Sequence, residues 1–306
     1  MSAMDQGENQ IGLTLGPVLF NWSADRLRKF YEGIANSSAF DRVHVGEVVC
    51  GKRMPFNDPV WPDVIAMLED AGKEVVISAL ALPSTVRERK TVSALCEDDH
   101  MVEINDVTAL SQRGGKPFVV GPFVNVYNEG TVRLMASRGA RTVCVPVELP
   151  LASLATMAKS CPDIEFEVFA FGRLPLALSS RCYHARLHGL HKDSCRFICD
   201  RDPDGLNVDT LDGQPFLAAN GIQTLSHGVQ AFCPTVEEAE RAGIRRLRLS
   251  PHTVDMVAAG DVYRSLLDGR IEPAEALNRL RGLDLPGELV DGYQRGLAGC
   301  EVAGTA

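Results

Sequence analysis

No run of apolar residues in this chain reaches the roughly 18 that a membrane-spanning helix needs, so no membrane span is expected. There is no excess of positive charge either. Lys and Arg number 31 against 40 Asp and Glu, and the formal net charge of −9 argues against a nucleic-acid-binding surface. Residues 1–10, MSAMDQGENQ, lack the basic start and apolar core of a secretory signal and read as a polar, disordered tail. Together these absences predict a cytoplasmic protein. The chain also lacks a G-x-G-x-x-G after a strand, a P-loop and an H-E-x-x-H, the signatures of dinucleotide, nucleoside-triphosphate and zinc-protease sites. Without an internal repeat, a low-complexity linker or a clear boundary, residues 1–306 are expected to form a single domain.

What the chain does have is a rhythm. Its 306 residues are 45% hydrophobic and 23% charged, ordinary for a globular protein with a sizeable core. Strand-like runs at 11–20, 42–50, 73–82, 101–106, 117–127, 141–149 and 164–172 alternate with helical patterns. In the first helix Leu27, Phe30, Tyr31 and Ile34 follow helical spacing behind a capping Ser23, and Gly72 and Gly139 stop later helices. Strands alternating with helices mean a parallel sheet with helices outside. The many repeats favour an α/β fold, a (β/α) TIM-barrel-like parallel barrel. After residue 172 the rhythm breaks into an insertion, 174–226, made of a Cys-rich loop and a β-hairpin turned at Asp212-Gly213. RRLRLSP at 245–251 then reads as one more strand, and two helices close the chain.

Nine cysteines are informative in a reducing compartment, where disulfides are not expected. Cys144, mid-strand among valines, and the isolated Cys96, Cys161, Cys233 and Cys300 read as packing or surface residues. Cys182, Cys195 and Cys199 differ: they stand as C-x12-C-x3-C within one loop that also carries His184, His188 and His191. A tetrahedral metal or an iron–sulfur cluster needs a fourth ligand. Cys50 is the best candidate, because in a parallel sheet the end of its strand and the end of the 164–172 strand open on one face. Lys52, Arg53, Arg181 and Arg186 flank these cysteines and would favour thiolates. An iron–sulfur cluster, a zinc ion, a catalytic thiol with a histidine base and no site at all remain open on spacing alone. His184 and His188 stand at i, i+4, one face of a helix, but in so polar a loop the histidines read as solvent-exposed. Glu47 and Glu148, at strand ends, could position a substrate or a proton, with Asn125, Asn128, Asn220, Gln223, Ser226, Arg248 and Ser250 as polar liners of the same mouth.

The segments LGPVLFNW, HVGEVVCGKR, VPVEL, FGRLPLALSSRCYHAR, DSCRFICD, NGIQTLS and RLSP occur in order along residues 11–270. Together they resemble the ubiquinone-biosynthesis branch of the collagenase-like peptidase U family. The resemblance implies a TIM-barrel-like fold and a [4Fe-4S] cluster on Cys50, Cys182, Cys195 and Cys199. It implies a heterodimer with a UbiU-like protein, a UbiT-like lipid carrier as a third partner, and O2-independent hydroxylation of a prenylated phenol or quinone precursor, with prephenate as the oxygen donor. Despite the family's name, no Ser–His pairing or H-E-x-x-H supports proteolysis here. In GYQRGLAG, Gln294 stands where the family pattern has an aromatic residue. Cys233 and Cys300 receive no role.

Overall fold

A computed structural model describes residues 11–302; the tail at 1–10 lies outside the described residues. Seven short strands are laid down in turn: β1 (Gly12–Leu15), β2 (Arg42–Val45), β3 (Glu74–Ser78), β4 (Met101–Ile104), β5 (Phe118–Val120), β6 (Ala140–Cys144) and β7 (Glu165–Leu178). Each pairs in parallel with the one before it. Three more strands, β8 (Leu206–Asp209), β9 (Pro215–Asn220) and β10 (Gln223–Ala231), stand apart from this wall. The chain then returns in β11 (Ile244–Leu249), which pairs in parallel with both β7 and β1 and closes an eight-stranded barrel. A two-residue strand, β12 (Leu289–Val290), joins β10.

The barrel is the TIM-barrel-like fold that the alternation predicts, and the helices clothe it. Ala24–Asn36 starts where the Ser23 hydroxyl accepts the Arg26 N–H at 3.3 Å, and it buries Leu27, Tyr31 and Ile34 against the wall. The strands are shorter than their apolar runs. Gly46 turns the chain out of β2 at φ +107°, and a Cβ there would lie 2.8 Å from the Ser78 carbonyl oxygen. Pro17, Pro122 and Pro146 cannot donate to a ladder, and β1, β5 and β6 end before them. Cys50 therefore sits not on a strand but in the loop beyond β2.

The lumen is charged rather than apolar. Arg248 on β11 bonds Glu103 on β4 and Glu167 on β7, and His44 on β2 stands 2.9 Å from Glu103. All four are buried. Burial alone would raise the carboxyls, but Arg248, with His44 beside it, outweighs burial and holds both below the usual carboxylate range.

Strand β7 is the pivot of the molecule. Its first half belongs to the barrel; from Phe171 to Leu178 it pairs antiparallel with β10. β10 pairs in turn with β9, and β9 with β8, so the insertion is a three-stranded layer on the strand's second half. The Asp212-Gly213 turn joins β8 to β9 as expected. A second hairpin, which the sequence reading missed, joins β9 to β10 through Gly221 and Ile222, with Gly221 at φ +61°. The Asn-Gly dipeptide in AANGIQT was its signal. Gln294, the departure from the family pattern, is buried and bonds both Gln230 and the Val147 carbonyl, so a polar pair occupies that place.

Candidate metal centre

The four cysteines arrive from three local settings. Cys50 is held in the β2 loop by Glu47, whose carboxylate accepts the N–H groups of Val49 at 2.8 Å and Cys50 at 2.9 Å. Cys182 caps the short helix Tyr183–Leu187, its sulfur accepting the Ala185 N–H at 3.4 Å. Cys195 and Cys199 flank Arg196 and Phe197, which take left-handed φ of 50° and 55°. Two consecutive non-glycine residues in that region are uncommon and cost of order 1–3 kcal/mol each. This turn keeps two sulfurs on one side of a very short segment.

All four side chains line one narrow cleft with a volume of about 20 Å³, together with Lys52, Arg53, Ile198 and Gly221. The cleft lies over a small apolar cluster, Leu19, Val48, Val49, Ala81, Ala185 and Ile222, separate from the main core. Around zinc, thiolates ~2.3 Å from the ion stand ~3.8 Å apart. Among the described residues no three of these sulfurs lie within 4.8 Å of one another; the one such grouping of ligand atoms is His184, His188 and Asp202.

Arg53 is the charge that governs the cleft. It is 1% exposed. It donates to the Leu19 carbonyl and to Asn220, both at 2.9 Å, and stands 3.6 Å from the Cys199 sulfur. Its Nε has no partner, and its nearest carboxylate oxygen, on Glu47, is 3.7 Å away. Gly221 makes room for it, because a Cβ there would sit 2.8 Å from the guanidinium. Burial raises the thiols of Cys50 and Cys182 and outweighs the opposing pull of Arg53. The flanking cations alone therefore do not make these two thiols anionic, contrary to the expectation from sequence; binding a metal would have to displace their protons. Lys52 bonds the Lys192 carbonyl at 2.6 Å, and Arg181 and Arg186 are on the surface.

The other expected liners scatter. Glu148 is exposed and accepts from Tyr127, Asn125 is exposed, and Asn128 caps the helix Glu129–Ser137. Ser226 braces β7 by accepting the Leu174 N–H at 2.8 Å. Asn220 and Gln223 belong to the cleft's floor beside Arg53, and Arg248 and Ser250 lie inside the barrel. Of the lumen quartet, sequence reasoning named only Arg248 and missed His44, Glu103 and Glu167, although each interrupts an apolar strand. It also read His184 as exposed, whereas His184 is fully buried and only His188 and His191 of the three are at the surface.

A model of peptidase family U32 matches residues 26–281. The chain belongs to peptidase family U32. Among solved structures it is similar to a thiamine phosphate pyrophosphorylase from Pyrococcus furiosus (11% identity, 88% of this chain and 98% of that one, TM-score 0.42). It is also similar to a putative fructose-1,6-biphosphate aldolase from Coccidioides immitis (9% identity, 89% and 86%, TM-score 0.40). At these scores neither likeness bears on chemistry. The lumen does bear on it. Ser78 at 3.3 Å and Glu103 at 2.9 Å both face the same nitrogen of His44, Nδ1, so this trio lacks the relay through two ring nitrogens that a serine protease triad uses.

Proposed function

We propose that this U32 protein is a UbiV-like iron–sulfur subunit of an O2-independent hydroxylase system in ubiquinone biosynthesis, acting as a heterodimer with a UbiU-like protein. Cys50, Cys182, Cys195 and Cys199 hold a [4Fe-4S] cluster in this reading. One observation carries it: four thiols from segments more than a hundred residues apart line a single cleft.

The charge balance supports the same reading. Four thiolates around a cubane leave a net negative core, and Arg53 is a buried cation whose Nε has no partner and whose nearest carboxylate, Glu47, stands 3.7 Å away, beyond hydrogen-bonding distance. When bound, such a cluster supplies electron transfer or activation of a substrate. The chain's own residues hold the loop shut, exclude water through the apolar cluster around Val48 and Ile222, and offset the charge. No described helix is long and apolar enough to cross a membrane. A prenylated phenol or quinone precursor would therefore need to be presented by a partner such as a UbiT-like lipid carrier.

The test is an absorption spectrum with iron and sulfide analysis on anaerobically purified protein, with Cys195→Ala beside it. The expected result is a broad visible charge-transfer band and about four iron and four sulfide per chain, both lost in the variant. A colourless protein holding one zinc would replace this reading with a zinc-stabilised interaction subunit. Deletion of the gene should also lower ubiquinone made without O2; an unchanged ubiquinone content would remove the pathway assignment.

A further inference from the structure

Behind the cysteine cleft lies a second set of ligand atoms. His184 is fully buried at the start of the helix Tyr183–Leu187, and His188 caps its end one turn later. Their rings stack, with centroids 5.6 Å apart and planes 20° apart. Asp202 faces both: its Oδ2 lies 2.8 Å from His184 Nε2 and 3.8 Å from His188 Nε2. All three ligand atoms fall within 4.8 Å of one another. Ligands bonded at ~2.1 Å to one ion stand ~3.0 Å apart when adjacent in an octahedron and ~3.4 Å apart in a tetrahedron, so the observed separations bracket a coordination sphere.

The hydrogen count favours a cation there. His184 Nδ1 lies 3.1 Å from the Ala219 carbonyl oxygen and its Nε2 lies 2.8 Å from a carboxylate oxygen. Both neighbours are acceptors, whereas a neutral imidazole carries one N–H. An N–H on Nδ1 satisfies the carbonyl and leaves Nε2 and Asp202 as two lone pairs aimed at one point. That is the tautomer of metal-binding histidines, which donate their second ring nitrogen to a carbonyl or carboxylate. The chain just after Asp202 is anchored: the Trp22 indole N–H donates to the Pro203 carbonyl at 2.8 Å, and Asp204 accepts the Thr253 N–H at 2.8 Å.

We propose that His184 Nε2, His188 Nε2 and Asp202 bind one divalent first-row transition ion, distinct from the cysteine cleft. Two histidines and one carboxylate leave further coordination positions open, as in sites that take iron(II) and admit an oxygen-donor ligand. His188 and Asp202, with side chains 31% and 23% exposed, place those positions toward solvent.

The probe is Co2+, titrated anaerobically into the full chain and read by visible absorption and equilibrium dialysis. The site predicts one bound Co2+ with weak d–d bands and without the intense sulfur-to-cobalt charge transfer that cysteine ligation gives. His188→Ala removes an exposed ligand with little risk to the fold, and both it and Asp202→Asn should weaken this Co2+ at least tenfold. Cys195→Ala should leave it unchanged, so the result stands or falls separately from the iron–sulfur reading. Binding that is equal in all the variants, or that carries the sulfur band throughout, would overturn the proposal. So would a wild type that takes up no Co2+ while Asp202→Asn unfolds at lower urea, which would make His184 and Asp202 an imidazolium–carboxylate pair.

Discussion

Arg248 in the barrel and Arg53 under the cysteine loop are both buried charges, 2% and 1% exposed, yet their surroundings differ. Arg248 meets two carboxylates at hydrogen-bonding distance. Arg53 meets a carbonyl, an amide and sulfur, with its one carboxylate neighbour, Glu47, farther off at 3.7 Å and its Nε unpartnered. A buried ion needs both a counter-charge and full hydrogen bonding. The lumen provides them from the chain itself, so it is finished when the barrel closes. The cleft provides them only in part, which is what the proposed anionic cluster would complete.

The comparison can be broken at either arginine. Arg248→Met strands two buried carboxylates and should cost about 3–5 kcal/mol in urea unfolding; a loss under 1 kcal/mol would mean that the lumen is not charge-balanced as described. The same quartet sets the acid limit. The carboxyls of Glu103 and Glu167 are depressed in the folded state, so their contribution is present above the unfolded value, pH ~4.3, and is lost as pH falls toward their folded values. His44, which burial keeps neutral, adds a loss in the same direction starting below pH ~6.5. Urea midpoints measured against pH should therefore fall steeply on the acid side, and less steeply in Glu103→Gln.

Arg53→Met should behave otherwise. In metal-free protein it should cost only about 1–3 kcal/mol, the scale of lost hydrogen bonds; on the proposed iron–sulfur reading, iron-loaded protein should also lose iron to a chelator several-fold faster than wild type. Equal iron retention would erase the distinction between the two arginines. Gly221→Ala sharpens it further: the left-handed φ should cost about 1–2 kcal/mol, and the crowding of Arg53 should speed iron loss as well. The smallest effect belongs to Ser23→Ala, which removes a helix cap on the outer face, should cost about 1 kcal/mol, and should leave iron content untouched.

The barrel was legible because its signal is periodic. Strand and helix patterns alternate from Ile11 to Phe171, and the inward and outward faces of each strand follow. Strand ends were less so, since Gly46 and Pro122 cut apolar runs that look continuous. The convergence of the four cysteines on one cleft was legible from spacing plus one topological fact, that parallel strands open on the same face. Nothing in the spacing of His184 and Asp202 could foretell their contact, because it depends on the left-handed turn at Arg196-Phe197 and on the anchoring of Pro203 by Trp22. Arg53 and Arg181 look alike in sequence; only the fold buries one and leaves the other in water.

Strand β7 runs without interruption from Glu165 in the wall to Leu178 in the upper layer. A shared strand is a mast, not a hinge: wall and layer have to move as one body, and the layer cannot swing open like a lid. Entry to the cleft is then left to the segment between Tyr183 and Arg201, whose helices are single turns. On the proposed iron–sulfur reading, loading of the site becomes a matter of melting and re-forming a short loop over a fixed frame. It would also have an order in time, since the loop's three thiols are synthesised long after Cys50, and until that loop is made Cys50 waits alone.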